Sequence, residues 1–278
     1  MALPQEQIRQ LARRIAQADE AREILRPLTI TNPGITLEDG YAVQSAWADI
    51  KIAQGAAIVG HKIGLTSKAM QSQSVVNEPD YGVILDDTVY ENGSSIPLGA
   101  FHAPRVEIEL AFVLKSDLKG PRCTLFDVLR ATEYICPAIE ILNSRLEKID
   151  SVTGQKRTIV DSICANAGYG GLVMGGRPFL PTDDIDPAWI GGACLRNGEI
   201  EETGLSAGVL GHPANAIAWL SNKMAAHGAT LKAGEILLSG SFIRPVPARP
   251  GDTFQADFGR HGSVNCHFST NPAKEAQA

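Results

Sequence analysis

Two glutamates lie two positions apart in a segment that otherwise has the pattern of a strand. The segment, residues 104–114, reads PRVEIELAFVL, and its acidic residues are Glu107 and Glu109. Side chains two apart on a strand point to the same face, about 6.5–7 Å from each other. That face continues into Ala111 and Val113, which predicts that it is covered. Two ionised carboxylates in a covered site repel each other, so they must share a proton, pair with cations or bind a metal.

A third carboxylate occurs in a second apolar segment, PAIEILNSRL. Glu140 points to the face opposite its neighbours Ile139 and Ile141 if the segment is a strand. Three carboxylates and water would form an all-oxygen site that suits Mg²⁺ or Mn²⁺, and the lack of His and Cys ligands argues against zinc. Such a site would have open positions for an anionic, chelating substrate.

A plainer interpretation of the same glutamates needs no metal. Glu107 and Glu109 could form the solvent face of an edge strand, and Glu140 could pair with Arg145. The E-x-E pattern is common, and spacing alone leaves both interpretations open.

The elements before residue 56 have a helical pattern. Ile8, Leu11 and Ile15 recur at helical spacing, and Thr36 with Asp39 predicts a capping box that opens a second helix. The residues after 56 predict strands with a few inserted helices. The predicted elements are a strand at 57–65, two short strands around a turn at Asn92-Gly93, a long strand at 106–114, a helix over 124–134, a strand from 138, a helix over 212–228 and strands in the last fifty residues. This order favours an α+β fold with a mixed sheet over a doubly wound fold, which needs regular alternation of strands and helices.

Composition limits the classes of function. The 278 residues include 25 Lys and Arg against 31 Asp and Glu, a formal net charge of −6, with no basic run and 6% aromatic residues. We therefore expect no nucleic-acid partner. No apolar stretch approaches 18 residues, and the N-terminus has no apolar signal core, so we expect no membrane association and a cytoplasmic protein. The five cysteines are widely spaced, which predicts reduced, buried thiols.

Seven segments together resemble the hydratase/decarboxylase branch of the fumarylacetoacetate hydrolase superfamily, over about residues 5–268. They are GHKIGLTSKAMQ (60–71), EPDYG (78–82), PRVEIELAFVL, PAIEILNSRL, DSICANAGYGGLVMGG (161–176), GHPANAIAWL (211–220) and GSFIRPVPARPGD (240–252). The resemblance implies a mixed β-roll core of the superfamily's C-terminal type with a helical N-terminal region. It also implies a Mg²⁺-dependent enzyme, Mn²⁺ being possible, whose metal ligands are Glu107, Glu109 and Glu140.

The resemblance further implies two residues that move protons, Lys62 and Asp80, and a serine that helps to hold the substrate carboxylate, Ser162. From the residues alone, Lys62 would be interpreted as a surface lysine beside a strand and Asp80 as a turn residue after a proline. Burial would lower the pKa of Lys62, whereas nearby carboxylates would raise it, and the sequence does not decide between them. His61 is predicted to be structural, and Asp161 to cap the helix that follows it.

The activity implied by the resemblance is addition of water to a 2-oxo-enoate or its 2-hydroxy-dienoate tautomer, converting 2-oxohept-4-ene-1,7-dioate to 4-hydroxy-2-oxoheptanedioate. A seven-carbon diacid needs a partner for its far carboxylate, and Arg244 is predicted to fill this role, with Arg22 and Arg26 as further candidates. Three alternatives stay open. They are another enzyme of the branch (2-hydroxypenta-2,4-dienoate hydratase or 4-oxalocrotonate decarboxylase), an acylpyruvate C–C hydrolase, and a non-catalytic partner that binds 2-oxo acids.

The expected organisation has three parts. Residues 1–55 would form the helical N-terminal region, 56–268 the catalytic β-roll domain, and 269–278 a flexible tail. The resemblance also implies a homo-oligomer, a pentamer or decamer.

Overall fold

The computed structural model describes residues 3–68, 71, 78–181 and 185–270. Residues 3–53 are mostly helical. They form helices α1 (Gln5–Ala21), α2 (Leu28–Thr31) and α3 (Leu37–Ala53). Helix α3 begins at the predicted capping box, because Thr36 accepts the Asp39 N–H while the Asp39 carboxylate accepts the Thr36 N–H. Later helices are α4 (Leu125–Ala131), α5 (Ile159–Cys164) and α6 (Pro213–Ala225).

Thirteen strands occur in the described part of the chain, and they form two sheets. They are β1 (Ile58–Gly64), β2 (Asp80–Leu85), β3 (Val89–Tyr90), β4 (Ser95–Pro97), β5 (Arg105–Leu114), β6 (Thr132–Leu142), β7 (Tyr169–Met174), β8 (Gly191–Arg196), β9 (Glu199–Leu205), β10 (Ile236–Leu238), β11 (Val246–Pro247), β12 (Thr253–Asp257) and β13 (Ser263–Ser269). The larger sheet has the order β2-β1-β10-β5-β6-β7-β3, with β11 also paired to β5. The smaller has the order β4-β13-β12-β8-β9.

The larger sheet is mixed, and its central strand β5 has two different faces. Strands β1 and β10 pair in parallel, whereas β10, β5, β6 and β7 pair antiparallel. One face of β5 belongs to the main hydrophobic core through five fully buried side chains, Val106, Ile108, Leu110, Phe112 and Leu114. The other face presents the two glutamates, followed by the buried Ala111 and Val113. Both faces are thus covered, as the alternating pattern predicts.

The N-terminal helices pack against the larger sheet. Their apolar side chains form a second cluster that includes Val83 and Leu85 of β2. A buried arginine adds polar contacts between the two regions: Arg145 Nε donates to Asp19 of α1 at 2.8 Å, and its guanidinium lies over the Trp47 ring of α3. The division at residues 55 and 268 stays a prediction, and 271–278 of the predicted tail lie outside the described residues.

The predicted α+β class with a mixed sheet and a helical N-terminal region is confirmed. Two local predictions need correction. The turn at Asn92-Gly93 does not make a hairpin, since β3 pairs with β7 and β4 with β13 in the other sheet. The helix predicted over 124–134 ends at Ala131, because Thr132 already belongs to β6, whose β-branched and aromatic residues favour a strand.

The cysteine prediction is confirmed, since all five thiols are free and buried. No helix in the described segments is both long and apolar enough to cross a bilayer.

Candidate active site

Three carboxylates meet on the covered face of β5 and β6. Glu107 pairs directly with Glu140 across the two strands, and Glu109 lies two residues further along β5. One ligand oxygen from each of the three lies within 4.8 Å of the others. Glu109 and Glu140 are buried, whereas Glu107 is partly exposed. The predicted triad is therefore brought together by strand register, and the alternative pairing of Glu140 with Arg145 is not formed.

The unpaired oxygens of this cluster fit a divalent cation. Glu109 Oε2 accepts the Gly240 N–H at 2.8 Å, but Glu109 Oε1 and both Glu140 carboxylate oxygens are buried and accept no hydrogen bond from the described residues. Burial, reinforced by the negative charge of Glu140, raises the pKa of Glu107 to about 7 and that of Glu109 well above its usual range. An oxygen-binding cation would replace the missing donors and offset the negative charge of the three carboxylates.

Lys62 supplies one positive charge to the cluster. It lies on β1 and is 3% exposed, with Nζ 3.4 Å from Glu140 Oε1. Nζ also donates to the Ala167 carbonyl at 3.0 Å. Burial alone would lower the pKa of Lys62, but the carboxylates of Glu140 and Asp80 outweigh it and raise the pKa above its usual range. Of the two opposing effects that the sequence left open, the carboxylates therefore outweigh burial at Lys62.

Asp80 lies beside Lys62 at the start of β2, opposite Gly64 of β1. Its side chain is buried, and Oδ1 accepts no hydrogen bond within the described chain. Burial raises its pKa against the opposing charge of Lys62. Gly64 makes this approach possible, because a Cβ there would lie 2.3 Å from Asp80 Oδ1 and 2.9 Å from Lys62 Nζ. Sequence analysis did not identify Gly64 as a site residue.

A left-handed turn supports the lysine from behind. Asn166, Ala167 and Gly168 have φ angles of 59°, 49° and 74°. The Asn166 side chain accepts the Val83 N–H at 2.8 Å and donates to the Val83 carbonyl at 2.9 Å, which ties the turn to β2. The turn thereby directs the Ala167 carbonyl at Lys62 Nζ. The sequence gives little indication of this contact. Asn and Gly tolerate a left-handed backbone, but no neighbouring residue indicates that the turn binds Lys62.

The two predicted substrate-binding residues are not part of this cluster. Ser162 is half-buried on α5, where its N–H donates to the Thr158 carbonyl at 3.4 Å, and no described contact joins it to the carboxylates. Arg244 is 83% exposed and pairs with Glu202 at 2.7 Å. The roles assigned to both stay predictions.

The two further arginine candidates for the far carboxylate, and the two residues to which the sequence gave structural roles, also have defined neighbours. Arg26 binds Asp150, and Arg22 donates to the Gly99 carbonyl. His61 is buried on the opposite face of β1, with Nε2 3.8 Å from Glu235. Asp161 does not precede a helix as predicted: it is the third residue of α5, whose N-cap is Thr158, and its carboxylate accepts the Thr158 N–H in a capping box.

Comparison with known proteins identifies the family. Residues 51–269 match the family described as fumarylacetoacetate (FAA) hydrolase C-terminal, and the chain belongs to this family. It is 53% identical to 2-oxo-hept-4-ene-1,7-dioate hydratase of Escherichia coli, over 93% of this chain and 96% of that one. It is 37% identical to 2-keto-4-pentenoate hydratase of Paraburkholderia xenovorans (strain LB400), over 96% of each.

A solved structure agrees with these matches. The 4-oxalocrotonate decarboxylase from Pseudomonas putida G7, complexed with magnesium and adipate, superposes with a TM-score of 0.90 at 33% identity, over 96% of this chain and 98% of that one. The resemblance recognised in the motifs and the expected fold type of the FAA hydrolase C-terminal domain are both confirmed.

Proposed function

We propose that this protein is a hydratase, a hydro-lyase of aromatic catabolism that adds water to a 2-oxo-enoate or its 2-hydroxy-dienoate tautomer. The substrate we propose is 2-oxohept-4-ene-1,7-dioate and the product 4-hydroxy-2-oxoheptanedioate. The observation that carries the proposal is the triad of Glu107, Glu109 and Glu140, two of them buried, beside Lys62 and Asp80. The 53% identity to a hydratase of this dioate over nearly the whole chain supports the choice of substrate.

The proposed cofactor is Mg²⁺, with Mn²⁺ as a possible substitute, bound by the three glutamates. The all-oxygen ligand set suits both ions, and the decarboxylase relative is complexed with magnesium. When bound, the cation would supply Lewis acidity that stabilises negative charge on the C2 oxygen of a 2-oxo acid.

The chain's own residues would move the protons. Lys62 is buried with its Nζ beside Glu140, so it can donate a hydrogen bond or a proton to a substrate that reaches the triad. Asp80 has a raised pKa and a free Oδ1, so it can exchange a proton nearer to neutral pH than an ordinary aspartate. Addition of water to a double bond needs a proton delivered to one carbon and hydroxide to another. We assign these transfers jointly to the two residues.

The test is turnover of freshly generated 2-oxohept-4-ene-1,7-dioate by purified protein, with EDTA and then with added Mg²⁺. We expect loss of the dienol absorbance and a product heavier by one water. Both should vanish with EDTA and return with Mg²⁺. Glu109→Gln should abolish the return, because it removes a charged ligand from the triad. Absence of a water adduct under all conditions would contradict the hydratase proposal.

A decarboxylase of the same family is the second candidate, favoured by the TM-score of 0.90 to 4-oxalocrotonate decarboxylase. Product analysis separates the two, since only the decarboxylase releases CO₂ from 4-oxalocrotonate. Cleavage of acylpyruvates would indicate a C–C hydrolase. Binding of 2-oxo acids without turnover would indicate a non-catalytic partner.

Two further parts of the proposal concern the state of the protein. We propose a homo-oligomer, a pentamer or decamer, and the strongly exposed Trp189 and Ile200 provide apolar surface that subunit contacts could cover. Light scattering coupled to size exclusion would give the subunit number. We also propose a cytoplasmic location, in agreement with five free buried thiols. Fractionation of the producing cell with an antibody to this chain would test it.

A further inference from the structure

The chain that follows β10 donates a backbone hydrogen bond to one of the three glutamates. Strand β10 runs antiparallel to β5, and the Ser239 N–H continues this pairing by donating to the Leu110 carbonyl at 3.1 Å. The next N–H, that of Gly240, donates instead to the Glu109 side chain, with 2.8 Å between the nitrogen and Oε2. The other carboxylate oxygen, Oε1, is buried and accepts no hydrogen bond from the described residues. The two oxygens of Glu109 therefore have different surroundings.

The surroundings of Gly240 exclude a side chain at this position. Its φ is 108°, a backbone conformation that residues with a Cβ rarely adopt. A Cβ there would overlap Thr66 Oγ1 and would lie 2.6 Å from Cγ2 and 2.9 Å from Cβ of the same threonine. Thr66 is 3% exposed and comes just after β1, which pairs in parallel with β10. The threonine side chain thus fills the space beside Gly240 and limits the movement of its backbone.

The residues after Gly240 are also closely packed. Ser241 Oγ accepts the Ile243 N–H at 3.2 Å, which closes a turn. The Phe242 carbonyl lies against β9 of the smaller sheet, where a Cβ on Gly204 would overlap its oxygen. The N–H donor therefore belongs to a backbone that packs against a neighbour on each side. A donor that is fixed in this way orients a metal ligand before the metal binds.

We propose that Gly240, held by Thr66, is a positioning residue that keeps Glu109 a one-oxygen ligand and thereby favours Mg²⁺ over Ca²⁺ at the triad. The Gly240 N–H holds Oε2, which leaves Oε1 as the oxygen that lacks a donor. Mg²⁺ demands octahedral coordination at short distances, whereas the larger Ca²⁺ accepts more oxygens and often both oxygens of one carboxylate. The inference rests on the proposed function, in which the three glutamates bind a divalent cation.

The test measures the dissociation constants of Mg²⁺ and Ca²⁺ by calorimetry on the full-length, metal-free protein without substrate. Gly240→Ala should weaken Mg²⁺ binding by roughly 10- to 100-fold, the usual effect of removing a residue that orients a metal ligand. Ca²⁺ binding should change by less than about threefold, because the released carboxylate can offer both of its oxygens. The ratio of the Ca²⁺ to the Mg²⁺ dissociation constant should therefore fall.

Thr66→Ala tests the support of Gly240 separately, and it stays informative if Gly240→Ala fails to fold. It removes Oγ1 and Cγ2 beside the glycine without straining the backbone. We expect Mg²⁺ binding to weaken by about threefold or more and the same ratio to fall. The two substitutions together should weaken Mg²⁺ binding by less than the product of their separate fold-changes, because Thr66→Ala makes room for the Cβ that Gly240→Ala adds.

Gly55→Ala is the matched control. Gly55 is exposed after α3 and has a φ of 109°, but a Cβ there would meet no atom within 4 Å, so neither dissociation constant should change. An unchanged ratio in Gly240→Ala and Thr66→Ala would overturn the proposal and leave the proposed function standing. Equal weakening of both ions would also overturn it, since the glycine would then only support the fold. The expected shift in a protein that hydrates no 2-oxo-enoate would support the inference and contradict the proposed function.

Discussion

Lys62 Nζ lies 3.4 Å from Glu140 Oε1, and both side chains are almost completely buried. The ammonium therefore has two roles that oppose each other. It stabilises Glu140 as an anion, and it repels a cation that binds the same carboxylate. The two roles can be separated experimentally, because metal binding and turnover are measured independently.

Lys62→Met should abolish turnover and preserve or improve metal binding. The methionine fills a similar volume without the charge or the proton. We expect kcat to fall by 10²-fold or more, roughly the contribution of general acid–base catalysis. The Mg²⁺ dissociation constant, measured by calorimetry, should stay the same or decrease. Lys232→Met, at an exposed position paired with Asp117, is the control and should change neither quantity. Weaker Mg²⁺ binding in Lys62→Met would show that the ammonium supports the metal site.

Gly64→Ala should impair catalysis with little effect on folding. The added Cβ would meet only the ends of two side chains, Asp80 Oδ1 at 2.3 Å and Lys62 Nζ at 2.9 Å, which can move aside. The free energy of unfolding should therefore change by less than about 1 kcal/mol. Displacement of both groups should lower kcat by about 10²-fold. Denaturant unfolding and steady-state kinetics measure the two effects.

Gly191→Ala is the matched control for this prediction. Gly191 also lies on a strand, and its nearest neighbour to an added Cβ is the Gly204 carbonyl oxygen at 3.9 Å. We expect kinetics and stability like those of the wild type. A Gly64→Ala protein with normal kcat would mean that the close approach of Lys62 and Asp80 is unimportant for turnover.

The sequence predicted the parts of the site that depend on local pattern. Alternation in β5 indicates that Glu107 and Glu109 share a covered face, and the motifs add Glu140 and Lys62. Local pattern does not give the strand register that sets Glu107 opposite Glu140, although a covered face limits the choices. Nor does it show the carbonyl that binds Lys62, which belongs to Ala167, 105 positions away along the chain.

The sequence also did not show which charged side chains form ion pairs. Arg244 has a surface partner in Glu202, which the residues around it in the sequence do not indicate. The sequence also did not show that the two strands flanking Asn92-Gly93 pair with strands of different sheets.

The metal should matter more for stability as the pH rises. Burial raises the folded-state pKa of Glu107 to about 7 and also raises that of Glu109, Glu140 and Asp80. A raised carboxyl pKa stabilises the fold below the unfolded value of about 4.3, and this stability is lost as the pH rises through the folded value. The metal-free protein should therefore lose stability between pH 5 and 8.

Bound Mg²⁺ should offset that loss, because it favours the ionised carboxylates. The measurement is the difference in Tm between protein with Mg²⁺ and protein with EDTA, at several pH values. Groups outside the site cancel in this difference, including His61, whose pKa burial lowers to about 4. The difference should widen from pH 5 to pH 8, and Glu109→Gln should flatten it. A difference that narrows with pH would contradict the assignment of the triad as the metal site.

Asn166→Gly should lower kcat because it releases the turn that holds Lys62. Glycine keeps the left-handed backbone but removes both hydrogen bonds to Val83, so the Ala167 carbonyl loses its fixed position. We expect a fall in kcat of about 10-fold or more, with KM and the Mg²⁺ dissociation constant nearly unchanged, because the lysine's proton transfer depends on its geometry. Asn197→Gly is the matched control. Asn197 also has a positive φ, 56°, and its side chain also makes two hydrogen bonds, to Thr253 and Asp252 beside the smaller sheet. Both variants should lower Tm by a similar amount, but only Asn166→Gly should lower kcat. If kcat is equal in the two variants, the turn has only a structural role.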